Sequence, residues 1–511
     1  MKKTIYTLLI LLISLPIVAQ LSPQSKNITE TFFPDVSSVE NLTPALKKEK
    51  GYTNYNELQE FLGDLVIKNP QKIKLSYIGK SQKGKEIPMV ILTNSNDKEK
   101  VKVWMQGGLH GDESASTEGM LYLIYKLLND EKYKSILDDT ELAIVPMANI
   151  DGYLKQDRYS ANGLDLNRDQ TKLMAPESVV LKNAFVTFNP EVAVDFHEFR
   201  PFRRDLSMMG DFGVVTLYDA MFLNTGNLNV PENLRNITEN LFVKNASKSL
   251  ESSGFRSVPY VSTADYRGEV VFNQGSLNSR SSVTNYSLTN VISSLLEVRG
   301  VGIGKTSFKR RIFITFSVAI SYLETAVKNK SLVKEEIKKA TEKQKETIVV
   351  THRRPIYKDT IQVIDLNTEK IIELEILKRD AAKVKPLIVR KRPVAYYLDE
   401  SQKMLVDKMK ILGVEVEQLS ADEEKMTEMY TITYYDKNHK KYEQINQQEV
   451  KTKISKETKT FKKGTYKVMM NQKKANIVVE LLEPEAPNSF VSFGLLKTKK
   501  GARLPIYRIL N

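Results

Sequence analysis

From residue 52 onward, apolar residues recur at two alternating spacings. Residues 55–66 and 116–128 place them at helical spacing, whereas 89–93, 101–106, 141–148 and 192–196 are short apolar runs of strand length. Strands alternating with helices predict an α/β domain with a mixed, largely parallel sheet flanked by helices. The run 312–323 is strongly apolar. It is shorter than the roughly 20 residues a membrane span needs, and it predicts a buried helix that closes this domain. Residues 328–347 are rich in Lys and Glu and predict a charged helical linker. Beyond them, 361–364, 430–435, 466–470 and 476–482 predict antiparallel strands, interrupted by a helix over 401–412 that stops at Gly413. The chain thus divides into a first domain over 21–327, the linker 328–347 and a β-rich α+β domain over 348–511.

The first twenty residues change the picture of where the chain goes. Lys2 and Lys3 precede an apolar stretch over 5–13 and a short exit near Ala19, the pattern of a secretory signal. The mature chain then starts near Gln20 or Leu21, without a transmembrane anchor, and is secreted or held in a bacterial cell envelope. The chain has no cysteine. Disulfides, thiolate metal ligands and a cysteine nucleophile are therefore excluded. The net charge of +14 is spread over stretches of mixed sign and comes with no nucleic-acid motif, so solvated surface accounts for it and no nucleic-acid partner is expected. The oligomeric state is not legible.

Only four histidines are present, at 110, 197, 352 and 439. His110 and Glu113 form an H-x-x-E pair, a weak signal by itself. Its setting strengthens it: a predicted strand over 101–106, the glycines Gly107 and Gly108, the pair, and then a helix. Both side chains thus fall at the carboxyl end of a strand, where open α/β sheets form ligand crevices. His197 follows the strand at 192–196 in the same way. Two histidines and a carboxylate at strand ends fit a catalytic zinc with one position left for water. Between them, the turn-rich segment 158–168 carries Arg158, Arg168 and Asn167, and guanidinium groups suit a carboxylate or a developing oxyanion.

The order H-x-x-E, Arg158, then Asp165-Leu166-Asn167-Arg168, a strand-end His197, and Leu295-Leu296-Glu297-Val298-Arg299 resembles the zinc metallocarboxypeptidases of the pancreatic carboxypeptidase A type. Tyr55-Asn56-Glu57-Leu58 and Ile78-Gly79-Lys80-Ser81 add to the likeness, which runs from about residue 52 to 323. The resemblance implies one zinc ion per chain held by His110, Glu113 and His197, and hydrolysis of the C-terminal peptide bond by zinc-activated water with Glu297 as general base. It implies that Arg158 stabilises the developing oxyanion and that Asn167 and Arg168 grip the free C-terminal carboxylate of a peptide or protein substrate. Asp165 would stand behind His110 and orient its imidazole. The family often has a mobile tyrosine ahead of the glutamate; Tyr260, Tyr266 and Tyr286 are near, and none matches the spacing. Two other readings stay open: an amidase or deacylase acting on cell-wall peptides or acylated amino acids at the same zinc site, and a non-enzymatic peptide-binding surface module.

Overall fold

The structure, a computed structural model, describes residues 24–95 and 99–510. The signal expected over 1–20 lies outside the described residues. The strands are β1 (Ile73–Lys80), β2 (Glu86–Leu92), β3 (Val101–Gln106), β4 (Thr140–Val145), β5 (Val192–Phe199), β6 (Val214–Thr216), β7 (Ala220–Leu223), β8 (Ser257–Pro259), β9 (Val261–Tyr266), β10 (Glu269–Gln274), β11 (Ile292–Arg299), β12 (Thr347–Arg353), β13 (Ile356–Asp365) and β14 (Ile371–Asp380). Further strands follow in the C-terminal half.

An eight-stranded sheet in the order β1-β2-β4-β3-β5-β11-β7-β8 forms the centre of the first domain. Its middle, β4-β3-β5-β11, is wholly parallel, and antiparallel pairs join β2 to β4 and β11 to β7. The apolar runs read as strands are buried because helices cover the sheet: every residue of β5 is buried, and Trp104 of β3 meets Phe185 edge-on at 5.5 Å. Helix Tyr55–Lys68 begins at a capping box in which Asn54 accepts from the Glu57 N–H and Glu57 accepts from the Asn54 N–H. The apolar run near 312–323 lies within helix Phe308–Lys328. Phe316 of that helix packs edge-on against Tyr122 of helix Ser114–Asn129 at 5.3 Å.

The charged stretch after it forms helix Lys330–Glu342, which turns Val333, Ile337 and Ala340 into the main core and its lysines and glutamates outward. In the C-terminal half the expected strands at 361–364, 430–435 and 466–470 fall in β13, in Glu423–Tyr442 and in Tyr466–Met469, and helix Lys403–Ile411 ends near Gly413 at φ +77°. The strand expected at 476–482 is instead helix Ala475–Leu482. Every residue of that helix is buried. Its two polar residues, Asn476 and Glu480, stand four apart on one helical face, but in so short a run with β-branched Ile477, Val478 and Val479 between them the segment reads equally well as a strand.

The halves are interleaved. Strands β13 and β14 join a five-stranded sheet, β6-β13-β14-β10-β9, whose other members belong to the first domain. A second apolar core likewise unites Leu173, Val230 and Leu288 with Tyr396, Val478 and Leu482. At this junction buried Glu480 accepts from the amides of Asn227 at 2.9 Å and Asn229 at 3.0 Å, and burial pushes its carboxyl above the ordinary range. Replacing Glu480 with Ala leaves one N–H of each amide without an acceptor, the other staying on the Leu277 and Val349 carbonyls, and costs roughly 1–3 kcal/mol. Because the core is shared, urea titrations followed by Trp104 fluorescence and by far-ultraviolet circular dichroism are expected to shift together in Glu480→Ala. An unmoved Trp104 transition would show that the halves unfold independently.

Candidate metal and catalytic site

The chain leaves β3 through Gly107 and Gly108, and Gly108 takes φ +64°, where a Cβ would lie 2.6 Å from Thr117 Oγ1. This tight exit delivers His110 and, at the start of helix Ser114–Asn129, Glu113 to the carboxyl edge of the sheet. Gly111 lets the ligand loop touch the segment that leads to Arg158: a Cβ there would stand 2.3 Å from the Asp157 carbonyl oxygen. His197 comes from β5, and Glu297 of β11 is its direct partner in the parallel register. The order of strands reverses at this point, since β4 lies on one side of β3 while β5 and β11 lie on the other. The crevice forms there.

The three predicted ligands converge. Their ligand atoms lie within 4.8 Å of one another, and all three residues are buried. His110 Nδ1 is 2.6 Å from Glu113 Oε1, His197 Nδ1 is 2.7 Å from Glu113 Oε2, and the two Nδ1 atoms are 3.1 Å apart. Each outer nitrogen faces an aspartate: His110 Nε2 is 3.1 Å from Asp165 Oδ1, and His197 Nε2 is 2.9 Å from Asp195 Oδ2. Arg158 grips Asp165 Oδ2 through Nε at 3.0 Å and Nη2 at 2.7 Å, and its Nη1 lies 3.2 Å from His110 Nδ1.

The electrostatics follow from three carboxylates in a dry place. Burial disfavours the charged form of Glu113, but the two imidazoles hold its carboxyl well below the ordinary range. Burial and Arg158 oppose protonation of His110, yet Glu113 and Asp165 raise its pKa; at His197 burial is outweighed by Asp195 and Glu113. The cluster therefore demands positive charge, as protons or as a cation. Two inward imidazole nitrogens and one carboxylate suit zinc, and the aspartates behind them fix the ring orientation that ligation needs. The residues fit the metal.

Above the cluster opens a cavity of about 640 Å³, lined by Arg158, Asn167, Arg168, Tyr260 and Glu297 among others. Asn167 Oδ1 accepts from the Ser282 N–H at 2.8 Å, which leaves the NH2 as its donor end, and Arg168 Nη1 donates to the Asn167 carbonyl at 2.8 Å. Burial and neighbouring Glu113 push the carboxyl of Glu297 up to about 7, against the pull of His197, His110 and Arg158. All eight residues singled out in the sequence thus border the cavity or stand in the cluster beneath it.

Residues 58–185 match the family model described as zinc carboxypeptidase. The chain carries a zinc carboxypeptidase domain. It is similar to Carboxypeptidase 2 of Trichophyton rubrum, 29% identical over 441 residues that cover 84% of this chain and 81% of that protein. Carboxypeptidase 2 of Trichophyton equinum is likewise 29% identical, over 445 residues covering 84% and 81%. Among solved structures it is similar to carboxypeptidase A from Helicoverpa armigera, with 19% identity, a TM-score of 0.42, and coverage of 56% of this chain and 78% of that one. The protein is a metallocarboxypeptidase, which sets the non-enzymatic reading aside. Relatives matched over 84% of the chain also carry the likeness past residue 323 into the C-terminal half.

Several functional positions of the carboxypeptidase were not read from its sequence. Asp195 stands two residues before His197 on one strand and so points the same way, and a lone carboxylate inside an apolar strand was the signal for it. Of the three tyrosines, Tyr286 is core, donating to Gln106 Oε1 at 3.1 Å and stacking on Phe185. Tyr266 is exposed beside Arg379, and Tyr260 lines the cavity. The C-terminal half also reaches the site: Gln444 donates to the Asn162 carbonyl at 2.5 Å, Glu443 pairs with Lys172 at 3.0 Å, and Arg280 lies over the Tyr442 ring at 4.9 Å. Asn162 belongs to the loop between Arg158 and Asp165, so this loop is braced from outside its own domain. Asp195→Asn keeps the shape but removes the charge behind His197, and zinc affinity is expected to fall about 10- to 100-fold in a competition titration with a chromogenic chelator.

Proposed function

We propose that the carboxypeptidase releases C-terminal residues from peptides or proteins with a free terminal carboxylate, with one zinc ion held by His110, Glu113 and His197 and with Glu297 as general base. The observation that carries this reading is the pairing of Glu297 with His197 across β11 and β5, which sets an isolated carboxylate at the mouth of the metal cluster. When bound, zinc supplies a Lewis acid that polarises a carbonyl oxygen and acidifies water. Glu297 takes the proton of the attacking water and returns it to the leaving amine. Burial, which favours the neutral form of Glu297, makes its carboxyl a better proton donor and acceptor than an exposed glutamate at neutral pH. Arg158, fixed by Asp165, directs its remaining N–H groups toward the oxyanion that develops on the scissile carbonyl. Asn167 and Arg168 offer donors to the terminal carboxylate, whose position fixes the last peptide bond over the cluster.

In this reading residues 21–327 form the catalytic unit, the helix within 328–347 joins it to 348–511, and the C-terminal half completes the cavity wall. Residues 1–20 direct the chain out of the cytoplasm. Among the described residues no helix is long and apolar enough to cross a membrane.

Peptides with free and amidated C-termini, followed by mass spectrometry with and without chelator, test the reaction class. Release of single residues from the free form alone, abolished by chelator, is expected. Glu297→Gln should lower kcat by about 10²- to 10⁴-fold with zinc content unchanged. Arg168→Ala should lower kcat/KM on free-carboxylate peptides sharply; cleavage of blocked substrates at undiminished rate would point instead to an amidase or deacylase.

A further inference from the structure

The cavity has two unlike walls. One is the catalytic edge of the large sheet, with Glu297, Arg158, Asn167 and Arg168. The other is the five-stranded sheet, where residues 260–264 around β9 and Asn273 of β10 are joined by Arg379 of β14 and by Arg354, just ahead of β13. The register explains the placement. Asn273 faces Arg379 in the parallel β10–β14 pair, and Arg379 faces Ile356 in the antiparallel β13–β14 pair, so Arg354 and Arg379 end at the same rim. Arg379 rests its guanidinium on the Tyr266 ring at 4.3 Å.

The charge of this wall is uncompensated. Among the described residues, Arg354, Arg379, Arg200 and Lys440 line the cavity without a carboxylate within 4.0 Å. Of the acids nearby, Glu198 is held by Arg311 at 2.6 Å, Glu297 and Asp112 stand on the side of the metal cluster, and Asp380 attracts Arg354 from beyond ion-pair distance. Burial lowers the pKa of Arg354, and Arg379 beside it lowers it further while Asp380 opposes. Two guanidinium groups held side by side over a partly dry cavity are disfavoured until an anion joins them, and their planar forks match a carboxylate with paired hydrogen bonds. A substrate ending in lysine or arginine meets repulsion on this wall. An apolar residue leaves the two arginines unpaired.

We propose that the carboxypeptidase selects peptides with an aspartate or glutamate side chain at the last or next-to-last position, and that Arg354 and Arg379, supplied by the C-terminal half, recognise that carboxylate. This rests on the carboxypeptidase reading above. The terminal carboxylate itself is assigned to Asn167 and Arg168 on the opposite wall, so the two arginines are left for a second anion.

The test uses the zinc-loaded full chain and peptides that differ only in the last or the next-to-last residue, with Glu, Asp, Leu or Lys at that place. The readout is the ratio of kcat/KM for an acidic peptide to that for the Leu peptide, which is independent of the fraction of enzyme that is folded. The ratio is expected to be about tenfold or more at one of the two positions, with Lys lowest, and to shrink as salt is raised. In the Arg354→Gln, Arg379→Gln double variant it should fall to about one, and Arg354→Lys should keep part of it. A ratio near one in the wild type, with the Leu peptide turned over, overturns the selectivity and leaves the reaction class standing. A high ratio that survives in the double variant overturns the assignment to these arginines. If no peptide of the series is cleaved, the reaction class falls and the selectivity with it.

Discussion

Two buried imidazoles face each other across 3.1 Å, with Glu113 bridging them and an aspartate behind each. Three carboxylates cannot stay ionised in so dry a place without positive charge among them, and the site is arranged around that demand. Parallel strands meet it economically: β3, β5 and β11 end at one edge, so residues far apart in the chain arrive together without long loops. The same edge explains why the ligands are rigid. His197 and Asp195 are fixed by a strand buried along its whole length, and Asp195 also accepts from Ser282 Oγ.

The C-terminal half is woven into this arrangement. It adds two strands to a sheet of the first domain, shares an apolar core with it through Leu173, Val230 and Leu288, and brings the turn at 442–444 against the Arg158–Asp165 loop. That loop carries Arg158 toward the cavity and is anchored in the main core by Leu164, while its tip at Asn162 and Gly163 has no apolar side chain of its own. A polar contact from a long β-hairpin, Gln444 to the Asn162 carbonyl, braces that tip.

How legible this was in the sequence follows the physics of each element. Strands over 101–106 and 192–196 declare themselves because a strand covered on both faces must be continuously apolar, and the buried helix at 312–323 does so by length. His110 and Glu113 were readable because they come within a few residues of a strand end; His197, expected just after its strand, lies inside it, two residues before the end. The run at 476–482 misled because it is short and β-branched at its centre, and its polar pair Asn476 and Glu480, four residues apart, is too little to mark a helix. Asp195 hid inside its strand, although its two-residue offset from His197 determined its direction. Arg354, Arg379 and Lys440 could not be read at all. Nothing local in a basic residue says which distant sheet its strand will join, and the β10–β14 pairing is set only by the folded whole.

The interleaving of the two halves bears on how the enzyme comes into being. A chain made only as far as Arg299 already holds every metal ligand and the glutamate above them. It still lacks β13 and β14, the wall they build, and the hairpin tip near Gln444 that steadies the Arg158 loop. The residues of the buried cluster are therefore complete long before the second wall of the cavity. A chain cut short before β13 carries the residues of the cluster but lacks one wall of the cavity and the contact that braces the Arg158 loop.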